Sequence, residues 1–260
     1  MEFSTNLDYR VVDSIGILTL TDPKGYNFFS WKLIEELGQL LDEIEADTSL
    51  RAVIIQSNGK NFSCGIDFSN LVMANSQYVM ERLPRLQRVY LRWQELPIPV
   101  VAAVNGLCFG IGTQLILGCD IRVAAESAEF ATQEARFGLS PDHLGTTRLT
   151  HLVGIGQAKR MIMTCEQIKA EEALRIGLVE VIVKDEELHE YTFKLAQRMC
   201  GFPPAGLRFA KQGINVANES SVSAGLFYEQ AQATYCCGTE DFQEAIAAFR
   251  EKRPPVFKNK

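Results

Sequence analysis

The chain has no excess of basic residues, because 26 lysines and arginines stand against 32 aspartates and glutamates, for a net charge of −6. A broad nucleic-acid surface needs the opposite balance, so we expect no nucleic-acid partner. The sequence also has no run of 18 apolar residues, and its first ten residues lack the apolar centre of a secretory signal. These absences favour a cytoplasmic protein with no membrane partner.

Patterns typical of metal sites are missing as well. The seven cysteines form no CxxC pair, and His143, His151 and His189, the only histidines, are not spaced like metal ligands. Most of the cysteines lie in apolar runs, which favours buried, reduced thiols. We therefore expect no metal site and ordinary polar roles for the histidines.

Short apolar runs alternate with amphipathic stretches over the first two-thirds of the chain. Helical spacing of leucines and isoleucines predicts a helix over Trp31–Ile44, with Ser30 as its cap. A second helix is predicted over Tyr78–Glu95, and Pro84 is expected to kink or restart it. The predicted strands are Gly16–Leu20, Ala52–Gln56, Val100–Val104 and Ile121–Ala125.

From Val153 onward the pattern is nearly all helical, with one predicted strand at Val179–Val183. We predict an α/β core over residues 1–200 and a helical C-terminal region over residues 201–260. The core pattern favours a spiral of strand–strand–helix turns over a doubly wound sheet, because Val104 leads through Gly106 into a short helix and then directly to Ile121. The predicted helices are Gly156–Cys165, Lys169–Ile176, Glu186–Cys200, Pro204–Val216, Val222–Cys236 and Asp241–Lys252.

Two glycine-containing segments follow predicted strands and could present backbone N–H groups to an anion. They are Asn61–Asp67 (NFSCGID) and Asn105–Gln114 (NGLCFGIGTQ). On local pattern alone, the first is better explained as an ordinary turn, and for the second the two interpretations are equal. Neither a GxGxxG nor a GK[ST] pattern is present, so dinucleotide and P-loop sites are not indicated.

Acidic residues flank the turn within Glu134–Arg148 (EARFGLSPDHLGTTR). Glu134 and Asp142 could converge on a pocket and share acid and base duties. Alternatively, Glu134 is a surface residue and Asp142 caps a helix that starts near His143. A further segment, Phe249–Phe257 (FREKRPPVF), is basic and could contact a phosphate or simply aid solubility.

In their order and spacing, these segments resemble the crotonase (enoyl-CoA hydratase/isomerase) superfamily, from about Tyr9 to about Phe257. The similarity includes Asp22–Asn27 (DPKGYN), the FSCGID loop and Pro99–Asp120 (PVVAAVNGLCFGIGTQLILGCD). It implies a ββα spiral core with C-terminal helices that build trimers, often paired into hexamers. It also implies an acyl-CoA substrate and no separate cofactor, since coenzyme A is part of the substrate.

The resemblance implies a role for several residues. The thioester oxygen would lie between the backbone N–H groups of Ile66 and Ile111, which would stabilise an enolate. Coenzyme A would run along the first loop, with its adenine near Cys64–Ile66. The predicted coenzyme A and substrate contacts are Lys24, Cys64, Gly65, Asp67 and Gly110, with Lys252 and Phe257 from a neighbouring subunit's tail.

The acidic residues depart from the hydratase pattern. Hydratases of this family use two glutamates, of which Glu134 matches one, but Gln114 stands at the other position and cannot act as a base. Asp142 stands where many relatives have glycine and where dienoyl-CoA isomerases have an acid. In those isomerases the aspartate removes the α proton and the glutamate returns one at the far end of the conjugated system.

The predicted reaction is therefore movement of a double bond by proton transfer, with Glu134, Asp142 and Gln114 as the catalytic residues. Hydration and thioester hydrolysis remain alternatives, since the superfamily's hydrolases have a similar Glu…Pro–Asp spacing. A scaffold that binds acyl-CoA without turnover is a third. Two retained acids argue against it, because an idle buried carboxylate costs stability.

Overall fold

The computed structural model describes residues 3, 5–72 and 74–260. The strands are β1 (Leu7–Val12), β2 (Ile15–Leu20), β3 (Ala52–Ser57), β4 (Val100–Val104), β5 (Leu107–Phe109), β6 (Ile121–Ala125), β7 (Glu129–Ala131), β8 (Ile168–Lys169) and β9 (Val181–Val183). The helices are α1 (Trp31–Ala46), α2 (Ser76–Glu95), α3 (Ile111–Ile116), α4 (Gly145–Thr164), α5 (Ala170–Arg175), α6 (Leu188–Cys200), α7 (Pro204–Glu219), α8 (Val222–Cys237) and α9 (Glu240–Glu251).

The strands form two sheets that the chain visits in turn. A six-stranded sheet has the order β1-β2-β3-β4-β6-β9, in which only the β1–β2 pair is antiparallel. A three-stranded sheet has the order β5-β7-β8. Two of the long central strands are followed by a short strand of the other sheet, as β4 is by β5 and β6 by β7. The chain therefore winds in ββα turns, as the sequence predicts.

Helices cover both faces of the large sheet. Along β3, Val53 and Ile55 point into the main core with α1 and α2, while Ala52 and Ile54 pack with Ala196 of α6. Central strands buried on both faces are continuous apolar runs, and this is why AVII and VVAAV occur in the sequence. The cavity described below lies beyond the carboxyl ends of β5 and β7.

Most predicted elements are confirmed, and the exceptions have local causes. Pro84 does not interrupt α2, because its missing N–H leaves only the carbonyl of Met80 without a helical donor, and Met80 is exposed to water. Helix α4 starts earlier than predicted and contains Gly154 in a non-helical conformation. The sequence does not predict β1, which is an edge strand with mostly partly exposed or exposed residues, nor β5, β7 and β8, in which two or three residues carry no readable periodicity.

The C-terminal helices leave large apolar side chains exposed. Phe227 of α8 is 76% exposed and Phe249 of α9 is 84% exposed. The helical character of residues 201–260 matches the prediction, while the trimer remains a prediction. None of the described helices is both long and apolar enough to cross a membrane.

Candidate active site

The two glycine-containing segments lie side by side. Ser63 N–H donates to the carbonyl of Leu107 and Phe109 N–H donates to the carbonyl of Ser63, each at 2.9 Å. Gly112 makes this approach possible, because a Cβ atom there would lie 2.6 Å from Cβ of Ser63. A parallel bridge between residues 63 and 108 therefore fixes the two loops relative to each other.

Each loop leaves one backbone N–H free at the cavity. The N–H of Phe29 donates to the carbonyl of Gly65, and the carbonyl of Phe29 accepts the N–H of Asp67. The N–H of Ile66 between them has no acceptor in the part of the chain that the structure describes. Ile111 is the first residue of α3, and among the described residues its N–H has no acceptor either. The turns before both donors need glycine, with φ of 104° at Gly65 and 51° at Gly110. The branched side chain of Ile111 is buried in the main core.

Both donors line one cavity together with the predicted catalytic side chains Gln114, Glu134 and Asp142. Its apolar surface includes Phe68 and Phe137, whose rings meet edge to face with centroids 4.8 Å apart. Sequence reasoning missed these two residues, since exposed aromatic residues on short 3-10 turns have no sequence pattern that distinguishes them from other surface residues. The other lining residues that sequence reasoning missed are Trp31, Leu71, Phe109, Gln133, Leu139, Ser140 and His143.

Glu134 is hydrogen-bonded to Gln114 beside the donor loops. Nε2 of Gln114 donates to Oε1 of Glu134 at 2.6 Å, while Oε1 of Gln114 accepts the backbone N–H of His143 at 2.7 Å. Because a backbone N–H can only donate, this second bond fixes which way the amide faces. A Cβ atom on Gly110 would lie 3.2 Å from Oε1 of Glu134, so this carboxyl group is next to the second donor loop.

Burial raises the pKa of the Glu134 carboxyl above its ordinary value, and the nearby charge of Asp142 raises this pKa further. Hydrogen bonds from its own backbone and from Gln114 partly oppose the shift in the pKa. Oε2 of Glu134 is buried without a hydrogen-bond partner among the described residues. A carboxylate in such a place is a stronger base than one in water.

Asp142 lies on the same cavity but is more exposed, with 46% of its side chain accessible. Its Oδ1 is 2.7 Å from Nδ1 of His143. The alternative that Asp142 caps a helix is wrong: α4 begins at Gly145, and Leu144 precedes it without a side-chain cap. The carboxylate is instead held by the next residue along the chain.

The predicted coenzyme A contacts fall into two groups. Cys64, Gly65 and Gly110 line the cavity, while Asp67 accepts the N–H of Ser69 and caps a short turn. Lys24 is exposed on the loop 22–27, which is joined to the cavity loop by a hydrogen bond from Cys64 N–H to the carbonyl of Tyr26.

The C-terminal residues Lys252 and Phe257 do not line the cavity of their own chain. Val256 N–H donates to Glu244 and Lys258 N–H donates to Asp241, so the tail runs along α9. Their predicted contact from a neighbouring subunit stays a prediction. Among the described residues, no cluster of histidine, cysteine or acidic side chains is arranged to hold a metal ion, and the cysteines are free thiols.

Comparison with known proteins identifies the family. Residues 10–260 match the Enoyl-CoA hydratase/isomerase family. The chain is 36% identical over 248 residues to the short-chain-enoyl-CoA hydratase of Clostridium acetobutylicum, covering 95% of each protein. It is 34% identical over 244 residues to the 2,3-dehydroadipyl-CoA hydratase of Escherichia coli, covering 94% of this chain and 95% of that protein.

A solved structure agrees with these sequence matches. The crystal structure of an enoyl-CoA hydratase from Bacillus anthracis superimposes with a TM-score of 0.94 at 32% identity, covering 98% of this chain and 100% of that one. The agreement extends over the ββα core and the C-terminal helices. The chain is a member of the enoyl-CoA hydratase/isomerase family, with the crotonase fold.

Proposed function

We propose that this protein moves a carbon–carbon double bond in an unsaturated acyl-CoA by proton transfer. The observation that carries the proposal is the hydrogen bond between Gln114 and Glu134. An amide occupies the position beside Glu134 where the resemblance would require a hydratase's second carboxylate. Gln114 can orient a neighbour but cannot accept a proton near neutral pH, so the reaction rests on Glu134 and Asp142.

In the proposed reaction, Glu134 removes a proton from the carbon next to the thioester. The electron pair moves onto the thioester oxygen, where the N–H groups of Ile66 and Ile111 stabilise the resulting enolate. The pair then returns through the conjugated carbons as a proton is delivered further along the chain. For a 3-enoyl group Glu134 itself returns the proton. For a longer dienoyl group Asp142 enters the step protonated and delivers its proton at the far end. Exchange with water then removes the proton from Glu134 and restores the one on Asp142.

The position of the Glu134 carboxyl group beside Gly110, next to the Ile111 donor, supports this order of events. It favours Glu134 at the α carbon, which is opposite to the order that the resemblance to dienoyl-CoA isomerases implies. The raised pKa of Glu134 also suits the task, since a desolvated carboxylate is the better base for a weakly acidic proton.

The coenzyme A part of the substrate is proposed to bind along the loop 22–27 and Cys64–Ile66, with Lys24 near one of its phosphates. We propose that a trimer brings Lys252 and Phe257 of one subunit to the pocket of the next. The exposed phenylalanines of α8 and α9 support an assembly of this kind, because a monomer rarely leaves such surface open to water. Analytical ultracentrifugation would measure the mass of the assembly.

The test of the reaction uses 2-enoyl-, 3-enoyl-, 3,5-dienoyl- and 3-hydroxyacyl-CoA, followed by ultraviolet absorbance and thiol release. Isomerisation predicts new conjugated absorbance from the 3-enoyl or dienoyl substrate without thiol release, and loss of this activity in Glu134→Gln. If none of these substrates shifts its double bond, the proposal is wrong. Free thiol from the 3-hydroxyacyl substrate would identify hydrolysis instead.

Hydration is the second candidate, and the names of the similar proteins favour it, since both are called hydratases. In this case Glu134 supplies the proton and Asp142 activates the water. Hydration predicts loss of the conjugated absorbance of a 2-enoyl-CoA without thiol release. The same assay therefore separates the two candidates.

A further inference from the structure

His143 is connected by hydrogen bonds to both carboxyl groups of the cavity, directly to Asp142 and through Gln114 to Glu134. Its Nδ1 lies 2.7 Å from Oδ1 of Asp142, and its backbone N–H donates to Oε1 of Gln114 at 2.7 Å. Gln114 in turn donates to Glu134 at 2.6 Å. One residue thus contacts Asp142 through its ring and holds Gln114, the partner of Glu134, through its backbone.

The ring of His143 is itself fixed. Its side chain is 2% exposed, and it lies between the rings of Trp31 and Tyr90, with centroids at 6.4 and 4.9 Å. Tyr90 is fully buried. The following residue, Leu144, has a φ of 68°, which is unfavourable for a leucine, so tertiary packing over-determines the backbone at this point.

Asp142 depends on this ring for its orientation. Oδ1 of Asp142 accepts a hydrogen bond both when the group is ionised and when its proton is on Oδ2, so the hydrogen of the Asp142–His143 contact is assigned to Nδ1. The carboxylate is nearly half exposed, and the ring is the only side chain among the described residues that bonds it. Proton transfer needs the reacting groups aligned to within a fraction of an ångström, and a freely rotating side chain does not keep that alignment.

We propose that His143 is a positioning residue that holds the Asp142 carboxylate towards the acyl chain. The inference rests on the proposed function, in which Asp142 exchanges a proton at the far end of a dienoyl group. The backbone bond to Gln114 is independent of the side chain at position 143, so a substitution there removes the contact with Asp142 and keeps the hydrogen bonds that hold Gln114 and Glu134.

The test compares His143→Asn with His143→Leu, two side chains of nearly equal size. The asparagine amide nitrogen is attached to Cγ, as Nδ1 of histidine is, and can donate to Asp142, whereas leucine cannot. We expect His143→Leu to lower kcat on a 3,5-dienoyl-CoA at least tenfold with KM changed less than about twofold, and His143→Asn to recover most of the rate. Equal losses in both variants would overturn the inference.

A structural role is separated by repeating His143→Leu in an Asp142→Asn background. If His143 acts through Asp142, the second substitution adds little further loss, whereas general damage to the fold would reduce kcat by the same factor in both backgrounds. Near-UV circular dichroism of each variant checks that the fold is retained. If Asp142→Asn alone leaves dienoyl turnover unchanged, the proposed role of Asp142 fails first; if it lowers turnover and His143→Leu does not, only the present inference fails.

Discussion

The two sides of the cavity are built in different ways. One side, the donor side, consists of the loops Cys64–Ile66 and Phe109–Ile111, which offer backbone N–H groups. The other, the acid side, consists of the side chains of Gln114, Glu134, Asp142 and His143. On the donor side the β bridge and the glycine turns fix the geometry. On the acid side, we expect a single change of side chain to alter the chemistry while the fold is kept.

The largest effect is expected on the acid side from Glu134→Gln. This change keeps the shape of the side chain and removes the base, so turnover should fall about 100- to 10,000-fold. Steady-state kinetics on the substrate found active would measure it. Glu126→Gln is the matched control, because Glu126 is exposed and outside the cavity. Comparable activity of Glu134→Gln and the control would remove Glu134 from the mechanism.

The donor side is tested by Gly112→Ala, which alters no reacting side chain. The new methyl group would overlap Ser63 and push the two loops apart, so kcat should fall about 100-fold or more through misplacement of the Ile111 N–H. Gly156→Ala is the control, since nothing lies within 4 Å of a Cβ atom there. If Gly112→Ala retains full activity, the reaction does not depend on the close approach of the two donor loops, and the contrast between the two sides fails.

Gln114→Glu adds a negative charge to the acid side of the cavity. A second carboxylate beside Glu134 should raise the pKa of Glu134 further, by repulsion between like charges. Glu134 must be deprotonated to act as a base, so the reaction rate falls when the pH is below the pKa of Glu134. The acid limb of the pH–rate profile should therefore move to higher pH, and hydration of a 2-enoyl-CoA should increase. An unmoved limb would contradict the role given to Glu134.

The opposite shift is expected from Asp142→Asn. The charge of Asp142 contributes to the raised pKa of Glu134, so its removal should lower that pKa and move the acid limb to lower pH. The shift should be smaller than the opposite shift in Gln114→Glu, because burial, not Asp142, is the first cause. The measurement is the pH profile of kcat/KM on a 3-enoyl-CoA, where Asp142 transfers no proton.

The smallest effect lies outside both sides of the cavity. Lys24→Ala should raise KM for the acyl-CoA by a factor of about two to five and leave kcat unchanged, because a single exposed charge contributes little. Lys159→Ala, also exposed, serves as the control. A fall in kcat would mean that Lys24 affects the reacting groups and not only the binding of coenzyme A.

Much of the fold was predictable, because its long helices and strands have recognisable local sequence patterns. The apolar runs of β3, β4 and β6 and the helical spacing of α1, with its Ser30 cap bonded to Leu33 N–H at 3.1 Å, match the expectation. The short strands β5 and β7 were not predictable, since their pairing depends on chain folded elsewhere. The preference for an isomerase over a hydratase stays a prediction, as the family alone includes both.

By itself, the sequence determined the family, because the order and spacing of its segments along the chain carry the resemblance. Through that resemblance it predicted the donor side, which local pattern alone did not distinguish from ordinary turns. Only the tertiary structure decided the acid side. Glu134 and His143 lie 20 and 29 positions after Gln114, and both meet it through hydrogen bonds that no local pattern encodes. His143, an ordinary polar residue in the sequence, became the link between two carboxyl groups because packing against Trp31 and Tyr90 buries and orients its ring.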